Sequence, residues 1–286
     1  MILGLLLFTS CGDSNHHQLH EDLRILSSDK FEGRKPGTKG SEKAQNYIVN
    51  RLKKMESQPF NNSFVDTFDL QFIEGSYPGT NIQAIKRGSQ TNDKIIVISA
   101  HYDHLGIKEN KIYNGANDNA TGVSVLLNLI SMFKNINTNN SIVYLFLDAE
   151  EFGKQGVKHF LSNNPELHDK ILLNFNIDML NCNSVEDLYI CGTIYSPQFK
   201  QILKKKVKDF NINFGHDEAI GDKKNWLKSS DHAEFANWGI PFLYFGSEEE
   251  EYYNTPEDDF ENINLDCFNK TLNMAKEIIL ELDQHL

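Results

Sequence analysis

Ile95-Ile96-Val97-Ile98-Ser99-Ala100-His101-Tyr102-Asp103 decides the fold: an apolar run broken only by a serine, then at once an imidazole and a carboxylate. The same layout recurs twice. Ile142-Val143-Tyr144-Leu145-Phe146-Leu147 leads into Asp148-Ala149-Glu150-Glu151, and residues 172–177 lead into Asp178. A fourth apolar run covers residues 240–245. Strands apolar on both faces belong in a largely parallel sheet with helices on either side. Helical patterns at 120–133, 156–161, 196–210 and 265–282 supply those helices. Upstream, residues 18–55 read as helix, loop, helix around the breaker-rich 33–40. Residues 64–72 alternate as a strand that pairs with 81–86. The predicted fold is therefore α/β, a three-layer sandwich with a central, mostly parallel but mixed sheet. Strand order does not follow from the sequence.

Sites in open α/β sheets lie beyond the carboxyl ends of the strands. Three strand exits here carry groups that bind metals or move protons. His101, read alone, is also explained as a capping or surface residue, but Asp103 is placed to orient its imidazole as a carboxylate behind a metal-bound histidine. Asp118, within Asn114-Gly115-Ala116-Asn117-Asp118-Asn119-Ala120-Thr121-Gly122, is by itself a normal turn or N-cap residue. Glu150 and Glu151 are harder to explain away, because adjacent carboxylates at a strand end repel unless a cation or proton intervenes. A hydrolytic zinc site needs both kinds of carboxylate, one on the metal and one free to take a proton. Asp178 stands between apolar neighbours and needs a buried partner.

Taken together, these segments resemble the two-zinc aminopeptidases, a metallopeptidase family that also contains glutaminyl cyclases, glutamate carboxypeptidase II and the transferrin-receptor ectodomain. The likeness runs over residues 22–282 and is carried by Ser99 to Gly106, Gly115 to Gly122, Asp148 to Gly153, Asn176 to Met179, Ser230-Asp231-His232 and Tyr253 to Asp259. Phe31-Glu32-Gly33-Arg34 also fits the family's N-terminal segment. The resemblance implies that Asp118 bridges two zinc ions, His101 and Asp178 complete one, Glu151 serves the other, and Glu150 is the general base. It also implies a cis peptide beside the bridging aspartate. The family's fifth ligand is a late histidine, and here Asn254 occupies that place. An amide oxygen is a weak zinc ligand, so three outcomes stay open: Asn254 coordinates, His232 replaces it, or that metal is weak or absent. His104, His159, His168 and His216 read as structural or exposed. The acidic run 248–251 could receive a substrate ammonium, or simply be solvated.

The implied activity is a zinc-dependent exopeptidase, of aminopeptidase type, acting on peptides. The alternative is a non-catalytic or weakly metallated binding lipoprotein of the same fold. A net charge of −12, with no basic cluster beyond Lys204-Lys205-Lys206, excludes nucleic acid as a partner. Residues 1–10 read as a signal peptide, with the apolar run 2–8 too short to span a bilayer. Thr9-Ser10-Cys11 resembles a bacterial lipidation signal, so Cys11 becomes a lipid-bearing first residue, residues 11–20 a linker, and 21–286 one catalytic domain. That places the chain outside the cytoplasm, on a membrane through a lipid anchor only. Cys182 and Cys191 either pair or remain two thiols.

Overall fold

Alternation of side chains along the apolar strands is what builds two helical layers. The chain is seen in a computed structural model that describes residues 11–72, 75–90, 93–218, 224–248 and 251–286. Its helices are α1 (Cys11–Leu26), α2 (Lys39–Lys54), α3 (Gly122–Phe133), α4 (Gln155–Asn163), α5 (Pro197–Phe210), α6 (His232–Asn237) and α7 (Leu265–His285). Its strands are β1 (Gln58–Pro59), β2 (Val65–Phe72), β3 (Gly75–Lys86), β4 (Ile95–His101), β5 (Gly106–Lys108), β6 (Lys111–Tyr113), β7 (Ser141–Leu147), β8 (Ile171–Ile177), β9 (Leu188–Cys191), β10 (Asn213–Phe214) and β11 (Phe242–Ser247).

The main sheet runs β1-β3-β7-β4-β8-β11-β9-β10, with β2 paired to β3 beside that path. Its centre, β7-β4-β8-β11, is parallel. Antiparallel β3 and β9 flank it, so the sheet is mixed as expected. Ile96, Ile98, Phe175 and Ile177 face a large core shared with α1, α2, α3, α5 and α7. Ile95, Val97, Val143 and Leu145 face a smaller one under α4 and α6. Each buried aliphatic or aromatic side chain contributes about 1.5–3 kcal/mol by leaving water. The strand exits therefore stand on a rigid base. Behind them runs a polar seam on the smaller face. The Ser99 hydroxyl donates to Asn176 Oδ1 (2.7 Å), Asn174 Nδ2 donates to Ser99 Oγ (2.9 Å), and Asn176 Nδ2 donates to Ser230 Oγ (2.9 Å). This seam ties the segment entering α6 to the middle of the sheet.

Several details differ from the sequence reading. Residues 11–20, expected as a linker, form the first part of α1, and Leu19 is fully buried. The expected signal peptide, 1–10, lies outside the described residues. The last apolar strand begins at Phe242, after Pro241, which cannot donate to a ladder. The cysteine reading is corrected: Cys182 bonds to Cys267, and Cys191 is a buried thiol. Cys182 sits in the loop after β8, in the large core beside α7. Cys191 is held in β9 among Tyr189, Trp226 and Tyr244, in a separate cluster.

Candidate metal centre

The exits of β4, β7 and β8 and the turn before α3 converge on one buried point. His101 ends β4 with its Nε2 3.3 Å from Asp118 Oδ1 and 3.3 Å from Asp178 Oδ1. His101, Asp118 and Asp178 offer donor atoms within 4.8 Å of one another, and so do His104, Asp118 and Glu151. Asp118 belongs to both groups: Oδ1 faces His101, while Oδ2 lies 4.0 Å from His104 Nδ1. The four ligands expected from sequence are thus together. His104, expected to be merely structural or exposed, stands among them, fully buried, with Nδ1 2.8 Å from Glu151 Oε1. No periodicity signals it, because it follows β4 in an irregular stretch.

Local backbone fixes this geometry. Ala149 and Met179, next to Glu150 and Asp178, adopt left-handed φ of 59° and 56°. Non-glycine residues persist there only when their surroundings impose it. The Asp118–Asn119 peptide is cis. Asp258 accepts from the backbone N–H groups of Asn117 (2.7 Å) and Asp118 (3.1 Å), which aims the Asp118 carboxylate inward. Asp103 accepts from the N–H groups of Glu150 (3.0 Å) and Glu151 (3.3 Å), and its Oδ1 lies 3.6 Å from His101 Nδ1. The hydrogen-bond contact of the ring itself is to the Asp103 backbone carbonyl, 3.3 Å from His101 Nδ1, while the carboxylate lies beside the imidazole and holds the Glu150-Glu151 turn.

Arg34 was legible only as part of the family-like N-terminal segment. It is buried, yet it donates to backbone carbonyls alone: Tyr102 (2.7 Å), Leu26 (2.8 Å), Gly115 (2.8 Å) and Asn114. Burial lowers its pKa to about 10, against the opposing pull of Asp258, Asp103, Asp118 and Glu151. It binds the loops bearing His104 and Asp118 to the N-terminal segment.

Burial pushes the Asp118 carboxyl up to about 6, helped by Glu151, and Glu151 up to about 7. Glu150 is raised well above the carboxylate range, again mainly by burial, although Lys154 Nζ lies 3.3 Å from its Oε1. Burial also lifts Asp231 to about 7 and lowers His104 to about 4. Glu151 Oε1, Asp178 Oδ1 and both His104 nitrogens are buried without a hydrogen-bond partner. An unsatisfied buried polar group costs about 1–3 kcal/mol. Several such atoms converging from nitrogen and carboxylate donors fit divalent cations of the zinc type.

The two candidates for a fifth ligand are placed elsewhere. His232 is buried, but its Nε2 lies 2.9 Å from the Trp226 carbonyl, its ring packs on Phe242 and Tyr244, and it is in neither donor group. Asn254 is exposed on a turn with φ of 58°. Of the acidic run, Glu248 lies 3.2 Å from His216 Nε2, and residues 249–250 are outside the described set.

The metal-type donors open into a cavity of about 130 Å³ walled by Met179, Trp226, Tyr244, Tyr253 and the two glutamates. Trp226 is stacked 3.6 Å from the His216 ring, which holds the indole in place. Larger clefts of about 280 and 370 Å³ lie elsewhere and gather no comparable donor set. Among the described residues, no helix is long and apolar enough to cross a membrane.

Comparison with known proteins gives a consistent outcome. The family described as Peptidase family M28 matches residues 81–279. The aminopeptidase YwaD of Bacillus subtilis is 27% identical over 211 residues, 70% of this chain and 44% of that protein. The alkaline phosphatase isozyme conversion protein of Escherichia coli is 26% identical over 210 residues, 68% of this chain and 59% of its own length. The chain thus spans less than two thirds of the length of these relatives. In structure it resembles a zinc aminopeptidase from Bacillus subtilis (TM-score 0.77, 16% identity, 93% of this chain and 95% of that one). It also resembles the Porphyromonas gingivalis glutaminyl cyclase (TM-score 0.73, 18% identity, 96% and 98%).

Proposed function

Because the chain belongs to peptidase family M28, we propose that it is a zinc-dependent exopeptidase of aminopeptidase type. The observation that carries this reading is the convergence of His101, Asp118, Glu151 and Asp178 on one buried point beside Glu150. Asp118 would be shared by two ions, with His101 and Asp178 on one side and Glu151 on the other. Zinc bound there supplies Lewis acidity, polarising the scissile carbonyl and making water acidic near neutral pH.

The rest belongs to the protein. Glu150 lines the cavity and takes the proton of the attacking water, then returns it to the leaving amine. Its raised pKa suits both halves of that exchange, and Lys154 keeps it oriented. The aromatic wall of Trp226 and Tyr244, whose rings meet edge to face, excludes water and receives the substrate's terminal residue.

Replacing Glu150 with Gln preserves shape and removes the proton acceptor. Hydrolysis of aminoacyl-nitroanilides should fall about 10²–10⁴-fold, with zinc content unchanged. Equal turnover in Glu150→Gln would end this assignment. A wild-type chain purified without chelators yet free of zinc would instead favour the non-catalytic binding alternative.

We also propose that the protein works outside the cytoplasm, held to a membrane by lipid on Cys11. The Cys182–Cys267 disulfide supports an oxidising compartment. Metabolic labelling with a radioactive fatty acid should mark wild type and spare Cys11→Ala.

A further inference from the structure

We propose that His104 is the fifth metal ligand of this chain, completing the Glu151-side ion in place of the late residue Asn254. The inference rests on the two-zinc reading above and concerns which side chains divide the work. His104 Nδ1 lies 2.8 Å from Glu151 Oε1 and 4.0 Å from Asp118 Oδ2. At the shorter distance a neutral imidazole would normally donate a hydrogen bond. Here neither His104 nitrogen nor Glu151 Oε1 has a partner of acceptable geometry. The groups point at a common place rather than at each other, the arrangement of ligands around an ion.

The ring is also fixed there. Gly115 lies flat against it in a left-handed conformation, so that a Cβ at that position would sit 2.4 Å from His104 Cγ and 2.1 Å from the Asp118 carbonyl oxygen. Arg34 clamps the Gly115 carbonyl from the far side. A side chain wedged this way loses little freedom on coordinating a metal.

The late loop is arranged accordingly. Asn254 is exposed on its turn, while Asp258, four residues on, reaches inward to the N–H groups of Asn117 and Asp118. That loop positions the bridging carboxylate and leaves ligation to others. Each ion then has one imidazole, from His101 or His104, and a share of Asp118. Both imidazoles come from the exit of β4, and imidazole binds zinc far better than an amide oxygen.

The test is metal stoichiometry. After dialysis against dilute zinc, wild type and Asn254→Ala should retain two equivalents, and His104→Ala one, by atomic absorption. Retention of two equivalents by His104→Ala, or loss of one by Asn254→Ala, overturns the proposal and leaves the two-zinc reading standing. If His104→Ala does not fold, zinc-edge X-ray absorption on the wild-type holoprotein decides. One imidazole per zinc on average supports His104, and one imidazole per two zincs overturns it. Zinc-free wild type would overturn both this inference and the reading beneath it.

Discussion

The two halves of the metal centre are anchored by different means. The His101–Asp178 half stands on the ends of two paired parallel strands, β4 and β8, and the loop after Asp178 is tied to α7 by Cys182–Cys267. The His104–Glu151 half has one foot on an irregular loop, and what holds that loop is a buried cation gathering four carbonyls. One half is braced by sheet and covalent bond; in the other, Glu151 follows β7 and is held by Asp103, but the His104 loop depends on the Arg34 side chain. Robustness should therefore be unequal.

Breaking the weaker brace has the largest expected effect on stability. Arg34→Met withdraws the guanidinium from four buried carbonyls, of which Gly115 keeps the Ala120 N–H (3.2 Å), and losing one partner of such a cluster costs on the order of 5 kcal/mol. Zinc competition titration should show the His104–Glu151 ion released more readily than the other. Equal loss from both halves would erase the distinction. Breaking the covalent brace with Cys267→Ser should cost about 3 kcal/mol, seen as a lower thermal midpoint. That variant should loosen the His101–Asp178 ion first.

A third measurement sharpens the comparison through pH. In the metal-free protein Asp118 and Glu151 have folded pKa values of about 6 and about 7, above their ordinary 3.8 and 4.5. The folded state then binds more protons than the unfolded one between those values. Their contribution to stability is present at low pH and is lost as pH rises from about 4 through 7. Zinc-stripped protein should accordingly gain more in melting temperature from added zinc at pH 7.5 than at pH 5. This is the smallest effect of the three, and an equal gain at both values would show that these carboxylates are not the ones zinc relieves.

The unevenness also explains what could be read from the chain. The braced half was legible because both-face apolar strands announce a parallel sheet, and whatever follows them lies on its working edge. His101 and Asp178 follow such strands, and the same rule marks Glu150 and Glu151 after β7 in the other half. His104 was passed over because it comes three residues after a strand, where no periodicity assigns it a direction. Arg34 offers no signal of burial in its residue type, since a lone arginine normally lies at the surface. Asn254 stands out for the opposite reason: it fills the place the family resemblance gives to a histidine ligand, and in this structure it is exposed. The cysteines could not be paired by inspection, because the partner of Cys182 lies 85 residues away. Short β9, β10 and α6 carry too few residues for a pattern to emerge.

Asp103 has a consequence of its own. Its carboxylate holds the backbone from which Glu150 and Glu151 project, and it lies alongside the imidazole of His101. On the proposed reading, acid–base chemistry and cation capture thus hang from one hinge. Descendants of this chain could alter the cavity wall freely to change what they accept, but they could not trade away one of those two capacities at this hinge without surrendering the other.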